Sequence, residues 1–199
     1  MTEMGKNQGV ADRSTLYPQA WTRKSRMANG VAIVVRPILP DDEILYKKFM
    51  QKNTAEDIRH RFFETLRELP AELVVQLTHV DYLSTMAFVA LGEESGDLLG
   101  VARFVAEPSG DRAEYSVMTR SDLKGEGIGF ALMTALIEYA KSKKIQELWG
   151  QVTRDNIQMV QMCRELGFEI TPDKTDLCCV VATLVFSKQD GGNENGPIL

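Results

Sequence analysis

The segment Lys124-Gly125-Glu126-Gly127-Ile128-Gly129 sets three glycines at alternate positions. It lies between a strand-like run, Tyr115-Ser116-Val117-Met118, and an amphipathic run from Phe130 to Ala140. A loop without Cβ atoms that opens into a helix presents unpaired backbone N–H groups. Together with the positive end of the helix dipole, these bind phosphate. A Rossmann fingerprint needs G-x-G-x-x-G and a P-loop needs G-x-x-x-x-G-K-[ST]. The spacing here is G-x-G-x-G, and no P-loop string occurs in the chain. Taken by itself, the loop would equally serve as a plain strand-to-helix turn.

Other chemistries find less support. His60 and His79 are the only histidines and do not form an H-x-x-x-H pair, so no metal is expected. Cys163, Cys178 and Cys179 form no C-x-x-C pair, and an odd count without framework spacing points to reduced thiols in a cytoplasmic protein. A formal net charge of −5 argues against nucleic-acid binding through phosphate neutralisation. The start of the chain has no apolar h-region and no apolar run reaches the ~20 residues that span a bilayer, so no membrane association is expected.

The elements that must position the loop follow from periodicity. Among 199 residues, 1–29 are polar and mixed, with Lys6, Arg13, Arg23, Lys24 and Arg26 against Glu3 and Asp12. They read as a basic, flexible tail on which Tyr17 and Trp21 offer docking points. One domain is expected over residues 30–186, and 187–199 read as a flexible polar end. Val31 to Val35 is a β-branched strand, and Pro40-Asp41-Asp42-Glu43 starts a helix. Thr54 caps a second helix, with Asp57 at the capping-box position but one methylene shorter than Glu. A third helix covers Ala71 to Leu77. Strands are expected over Met86–Leu91, Leu98–Ala106, Ala113–Thr119, Leu148–Val152, Phe168–Ile170 and Leu177–Phe186. Helices are expected over Gly129–Lys143 and Asn156–Leu166, the second stopped by Gly167. This order predicts an α/β fold, a mixed and mostly antiparallel sheet of about six to seven strands flanked by helices.

The loop string resembles the pyrophosphate loop of the GNAT superfamily of acyl-CoA-dependent N-acyltransferases, [RQ]-x-x-G-x-[GA], with Lys124 where that family usually has Arg or Gln. Asn156-Ile157-Gln158-Met159 with Leu166-Gly167-Phe168 is similar to the second half of the same signature. Val35-Arg36-Pro37-Ile38, Arg59 to Phe63, Leu77 to Tyr82, Gly100 to Arg103 and Ala113-Glu114-Tyr115 resemble landmarks of bacterial Pat-type protein lysine acetyltransferases.

The resemblance implies a GNAT fold and acetyl-CoA as cosubstrate. The acceptor it implies is a protein lysine, such as one of an acyl-CoA synthetase, with a small amine as the alternative enzyme substrate. A non-catalytic CoA-binding module is the third reading. Coenzyme contacts are implied for Met118, Thr119, Lys124, Gly125, Glu126, Gly127, Ile128, Gly129 and Asn156. Met118 and Thr119 would pair with the pantetheine arm like an added strand, and Asn156 would hydrogen-bond it. Glu114 takes the catalytic-base position of the Pat-type motif; without that motif it would read as a solvated edge-strand carboxylate. The family's helix tyrosine is replaced by Cys163, which reads as a core residue.

Overall fold

A computed structural model describes residues 17–64 and 69–186. One eight-stranded sheet runs through it in the order β1-β2-β3-β4-β5-β6-β8-β7. The strands are β1 (Arg23–Arg26), β2 (Ala32–Pro37), β3 (Thr85–Gly92), β4 (Leu98–Ala106), β5 (Arg112–Thr119), β6 (Glu147–Thr153), β7 (Glu169–Pro172) and β8 (Cys179–Val185). The helices are α1 (Glu43–Gln51), α2 (Ala55–Phe62), α3 (Ala71–Thr78), α4 (Ile128–Ser142) and α5 (Ile157–Glu165). Neighbouring strands are antiparallel except β5 and β6, which are parallel and joined through α4. A parallel pair cannot be joined by a tight turn, so the chain after the glycine loop must cross the sheet as a helix.

Seven of the strands fall on the segments expected from alternation. The eighth, β1, lies inside the segment read as tail. The tail reading therefore does not hold for residues 17–29; residues 1–16 and 187–199 lie outside the described residues. Arg-Lys-Ser-Arg carries no apolar alternation because β1 is an edge strand, paired only with β2, and edge strands favour charge. The docking expected of the two aromatics is present. The Trp21 ring stands edge-on to Tyr139 at 5.4 Å and Phe88 at 6.1 Å, and Tyr17 donates to the Pro37 carbonyl at 3.0 Å.

The core lies where α4 crosses β3, β4 and β5. Leu132, Met133, Leu136 and Ala140 are fully buried there, and the Tyr139 ring stands edge-on to Phe88 and Phe104. Gly100 on β4 permits the close approach: a Cβ at that position would lie 2.9 Å from Leu132 Cδ1 and 3.0 Å from Ile128 Cγ2. The acidic start of α1 is tied to β2, because Asp42 receives Arg36 through two hydrogen bonds at 2.7 and 2.8 Å. No helix among the described residues is long and apolar enough to cross a membrane.

Candidate active site

Strand β5 is paired with β4 from Ala113 opposite Ala106 to Thr119 opposite Gly100. Its pairing with β6 is confined to Arg112–Glu114 opposite Glu147–Trp149. Beyond Glu114 the two parallel strands separate, because β6 continues in register with β8 while β5 follows β4. A wedge opens between Tyr115–Thr119 and 150–153, and one edge of β5 is left with backbone groups facing it. Such an edge can accept an extended chain as an added strand.

Tyr115 closes the narrow end of the wedge. A Cβ on Gly150 would lie 2.8 Å from the Cε1 and Cζ atoms of its ring and 2.9 Å from its carbonyl oxygen. The Tyr115 hydroxyl lies 3.1 Å from Cys163 Sγ, and its ring stands edge-on to Phe168 at 5.1 Å. Burial and the neighbouring Cys163 push the Tyr115 pKa well above its ordinary value; burial also raises that of Cys163. A fully buried, protonated thiol suits the packing role expected of Cys163.

The wide end of the wedge meets the N-terminus of α4. Gly125 and Gly127 both have φ of +81°, a conformation strained for any residue with a Cβ. The N–H groups of the first helical turn have no intrahelical acceptor and can hold an anion. Gly129 serves a different purpose: its added Cβ would sit 3.3 Å from Met162 Sδ on α5 and 3.7 Å from Thr119 Cγ2.

A cavity of about 630 Å³ runs from this loop to Glu114. The structure brings together on its walls Glu114, Met118, Thr119, Lys124, Gly125, Gly127, Ile128, Gly129 and Asn156. Glu126 is the exception. Its carboxylate accepts the Asn29 N–H at 3.2 Å and its carbonyl accepts the Ala28 N–H at 2.9 Å, so it faces the β1–β2 turn. Asn156 caps α5, its Oδ1 accepting the Met159 N–H at 3.2 Å. Glu114 is exposed on the β5 face it shares with Ser116.

Lys124 is not isolated in the loop. Its ammonium pairs with Asp57 of α2, whose other carboxylate oxygen accepts the hydroxyls of Thr54 and Ser121. The capping box read at Thr54 is therefore half-made. Thr54 Oγ1 accepts the Asp57 N–H at 3.2 Å, but the Asp57 carboxylate serves Lys124, and the Thr54 N–H donates to Ser121 Oγ at 2.9 Å. Burial pushes the Asp57 pKa up, yet the hydrogen bonds from Lys124, Ser121 and Thr54 outweigh it and the carboxyl lies below its ordinary value.

Sequence reasoning missed the contribution of α2 to the cavity wall through His60, weighed only as a metal ligand and within a landmark, and Arg61, noted only within that landmark. His60 Nε2 lies 3.1 Å from Asp155 and 3.2 Å from Arg59 Nη2. Among the described residues, Glu56, His60 and Asp155 bring ligand-type atoms within 4.8 Å of one another. The Arg59 guanidinium already occupies Asp155 at 2.8 Å, which opposes a cation there. The apolar period of α2 runs through Ile58 and Phe62, so nothing in the sequence aimed these polar residues at the cavity.

The wedge between parallel strands beside a helix N-terminus offers an anion site continuous with a free strand edge. Residues 52–168, more than half of the chain, match the acetyltransferase (GNAT) family. The chain belongs to that family and is a GNAT-fold N-acetyltransferase. An acetyltransferase of Pseudomonas aeruginosa is 28% identical over 158 residues, covering 78% of this chain and 85% of that protein. Acetyltransferase Pat of Mycolicibacterium smegmatis is 29% identical over 143 residues, covering 71% of this chain; the match spans 43% of that longer protein. The crystal structure of the GNAT domain of S. lividans PAT superposes with a TM-score of 0.79 at 22% identity, covering 85% of this chain and 99% of that one.

Proposed function

We propose that this acetyltransferase moves the acetyl group of acetyl-CoA to the amine of a protein lysine, by direct attack and without a covalent acyl-enzyme. The observation that carries the reading is the single cavity joining a phosphate-binding helix start to an exposed carboxylate, Glu114, through an unpaired strand edge. The Pat-type landmarks of the sequence, which imply a protein lysine as acceptor, support the reading, and acetyltransferase Pat is among the relatives.

Each wall has a task. The pyrophosphate lies on the N–H groups around Gly125, Gly127 and Gly129, with Lys124 beside them. The pantetheine arm runs along β5 past Thr119 and Met118 and is flanked by Asn156, bringing the thioester toward Ser116. A lysine ammonium with a pKa of about 10.4 must lose a proton before it attacks, and Glu114 accepts that proton directly or through water. The amine nitrogen then bonds to the thioester carbon, a β5 backbone N–H steadies the oxyanion, and the C–S bond breaks. The thiolate, whose conjugate thiol has a pKa of about 8.5, leaves with little acid assistance and takes up, directly or through water, the proton that the attacking nitrogen gives up as the amide forms. The free thiols of Cys163, Cys178 and Cys179 fit a cytoplasmic setting.

Incubation with labelled acetyl-CoA and a panel of acyl-CoA synthetases, alongside polyamines, aminoglycosides and amino acids, tests the reading. Label on a protein lysine is expected. Transfer to a small amine alone would overturn the protein acceptor, and no transfer to any acceptor would favour a non-catalytic CoA-binding module.

A further inference from the structure

Asp57 takes no part in the chemistry above, yet its side chain is only 9% exposed and both of its oxygens are engaged. Lys124 Nζ is on Oδ1; the hydroxyls of Thr54, at 2.9 Å, and Ser121 are on Oδ2. Ser121 in turn accepts the Thr54 N–H. The cap of α2 and the turn entering the glycine loop thus share one network across 67 residues of sequence.

The family's usual Arg or Gln would bring planar donors to this position, whereas a lysine brings a compact charge on a flexible four-carbon stem. An ammonium carries three N–H groups. Asp57 takes one, and the Lys124 side chain remains 41% exposed on the cavity wall, so the others can meet a phosphate oxygen.

We propose that Asp57 is a positioning residue for the coenzyme: it holds the Lys124 ammonium at the glycine loop and so turns a flexible lysine into a fixed phosphate donor. This rests on the coenzyme reading above. Two effects compete. The carboxylate lowers the local positive potential and so weakens anion binding. Against that, a pinned lysine loses no rotamer freedom when the phosphate arrives. The second effect prevails because the hydroxyls of Thr54 and Ser121 also donate to the buried Asp57 carboxylate and take up part of its charge.

Calorimetric titration of coenzyme A into the wild type, Asp57→Asn, Lys124→Met and the double variant tests this. Asp57→Asn is expected to raise the dissociation constant about fivefold, a charge-assisted contact discounted for its partly exposed lysine. The double variant should bind no more weakly than Lys124→Met alone, since the effect of Asp57 passes through the ammonium. Ser121→Ala, which slackens the same network from the loop side, should give a smaller rise. Equal or tighter binding by Asp57→Asn would overturn the proposal, as would an undiminished effect in the Lys124→Met background. Failure of the wild type to bind coenzyme A would overturn the coenzyme reading itself and this inference with it.

Discussion

The two ends of β5 are built by different means. At the Thr119 end, the proposed anion site is built mainly from backbone: two residues with positive φ, a helix N-terminus, and a glycine that lets α4 and α5 approach. At the Glu114 end, the proposed acceptor site is built from side chains delivered by α2, β5, β6 and α5. Apart from the Asp57–Lys124 pair, the backbone end should tolerate changes of side-chain chemistry but not the addition of a Cβ or anything larger at its glycines. The side-chain end should behave in the opposite way, losing function on a change of one atom type while the fold stands.

The largest expected effect is at the side-chain end. Glu114→Gln should lower acetyl transfer by about 10²- to 10⁴-fold, the usual contribution of a positioned base, with coenzyme affinity unchanged in calorimetry. Loss of affinity as well would erase the division between the two ends. At the backbone end, Gly129→Leu forces a side chain into the 3.3 Å gap at Met162. Overpacking of ~1–3 kcal/mol should weaken coenzyme binding by about 10- to 100-fold. Gly127→Ala meets open space, so its penalty is conformational, about 1–2 kcal/mol read from the urea midpoint.

Tyr115→Phe keeps the ring that closes the wedge and removes only the contact with Cys163. A loss of about 0.5–1.5 kcal/mol in the same urea measurement is expected. The smallest effect is on acid stability. The folded Asp57 pKa lies below its unfolded value of about 3.9, so its contribution is present above pH ~4 and is lost as the pH falls through the lower folded value. Asp57→Asn should therefore flatten the acid limb of the stability profile; an unchanged limb would show that the network with Lys124 is not maintained in solution.

The same contrast decides what the sequence disclosed. The glycine loop was legible because backbone geometry leaves its mark in the spacing of Gly125, Gly127 and Gly129. The helix stop at Gly167 and the core face of α4 were legible for the same reason, since each follows a local period. Strand β1 was not, because an edge strand of Arg-Lys-Ser-Arg has no buried face to impose alternation. The partner of Lys124 lay 67 residues away, and the local reading of Asp57 as a capping residue was correct in position but silent about where its carboxylate points. Glu114 is proposed as the base only through the motif around it, since one exposed carboxylate on a strand has no pattern of its own.

A crystal structure with coenzyme A bound tests the central claim most directly. The pyrophosphate oxygens should lie about 3 Å from the backbone nitrogens of residues 125–129, with the pantetheine arm in the β5–β6 wedge and its sulfur directed toward the Glu114 end. A pyrophosphate bound elsewhere, or a wedge left empty with the coenzyme on another face, would contradict it.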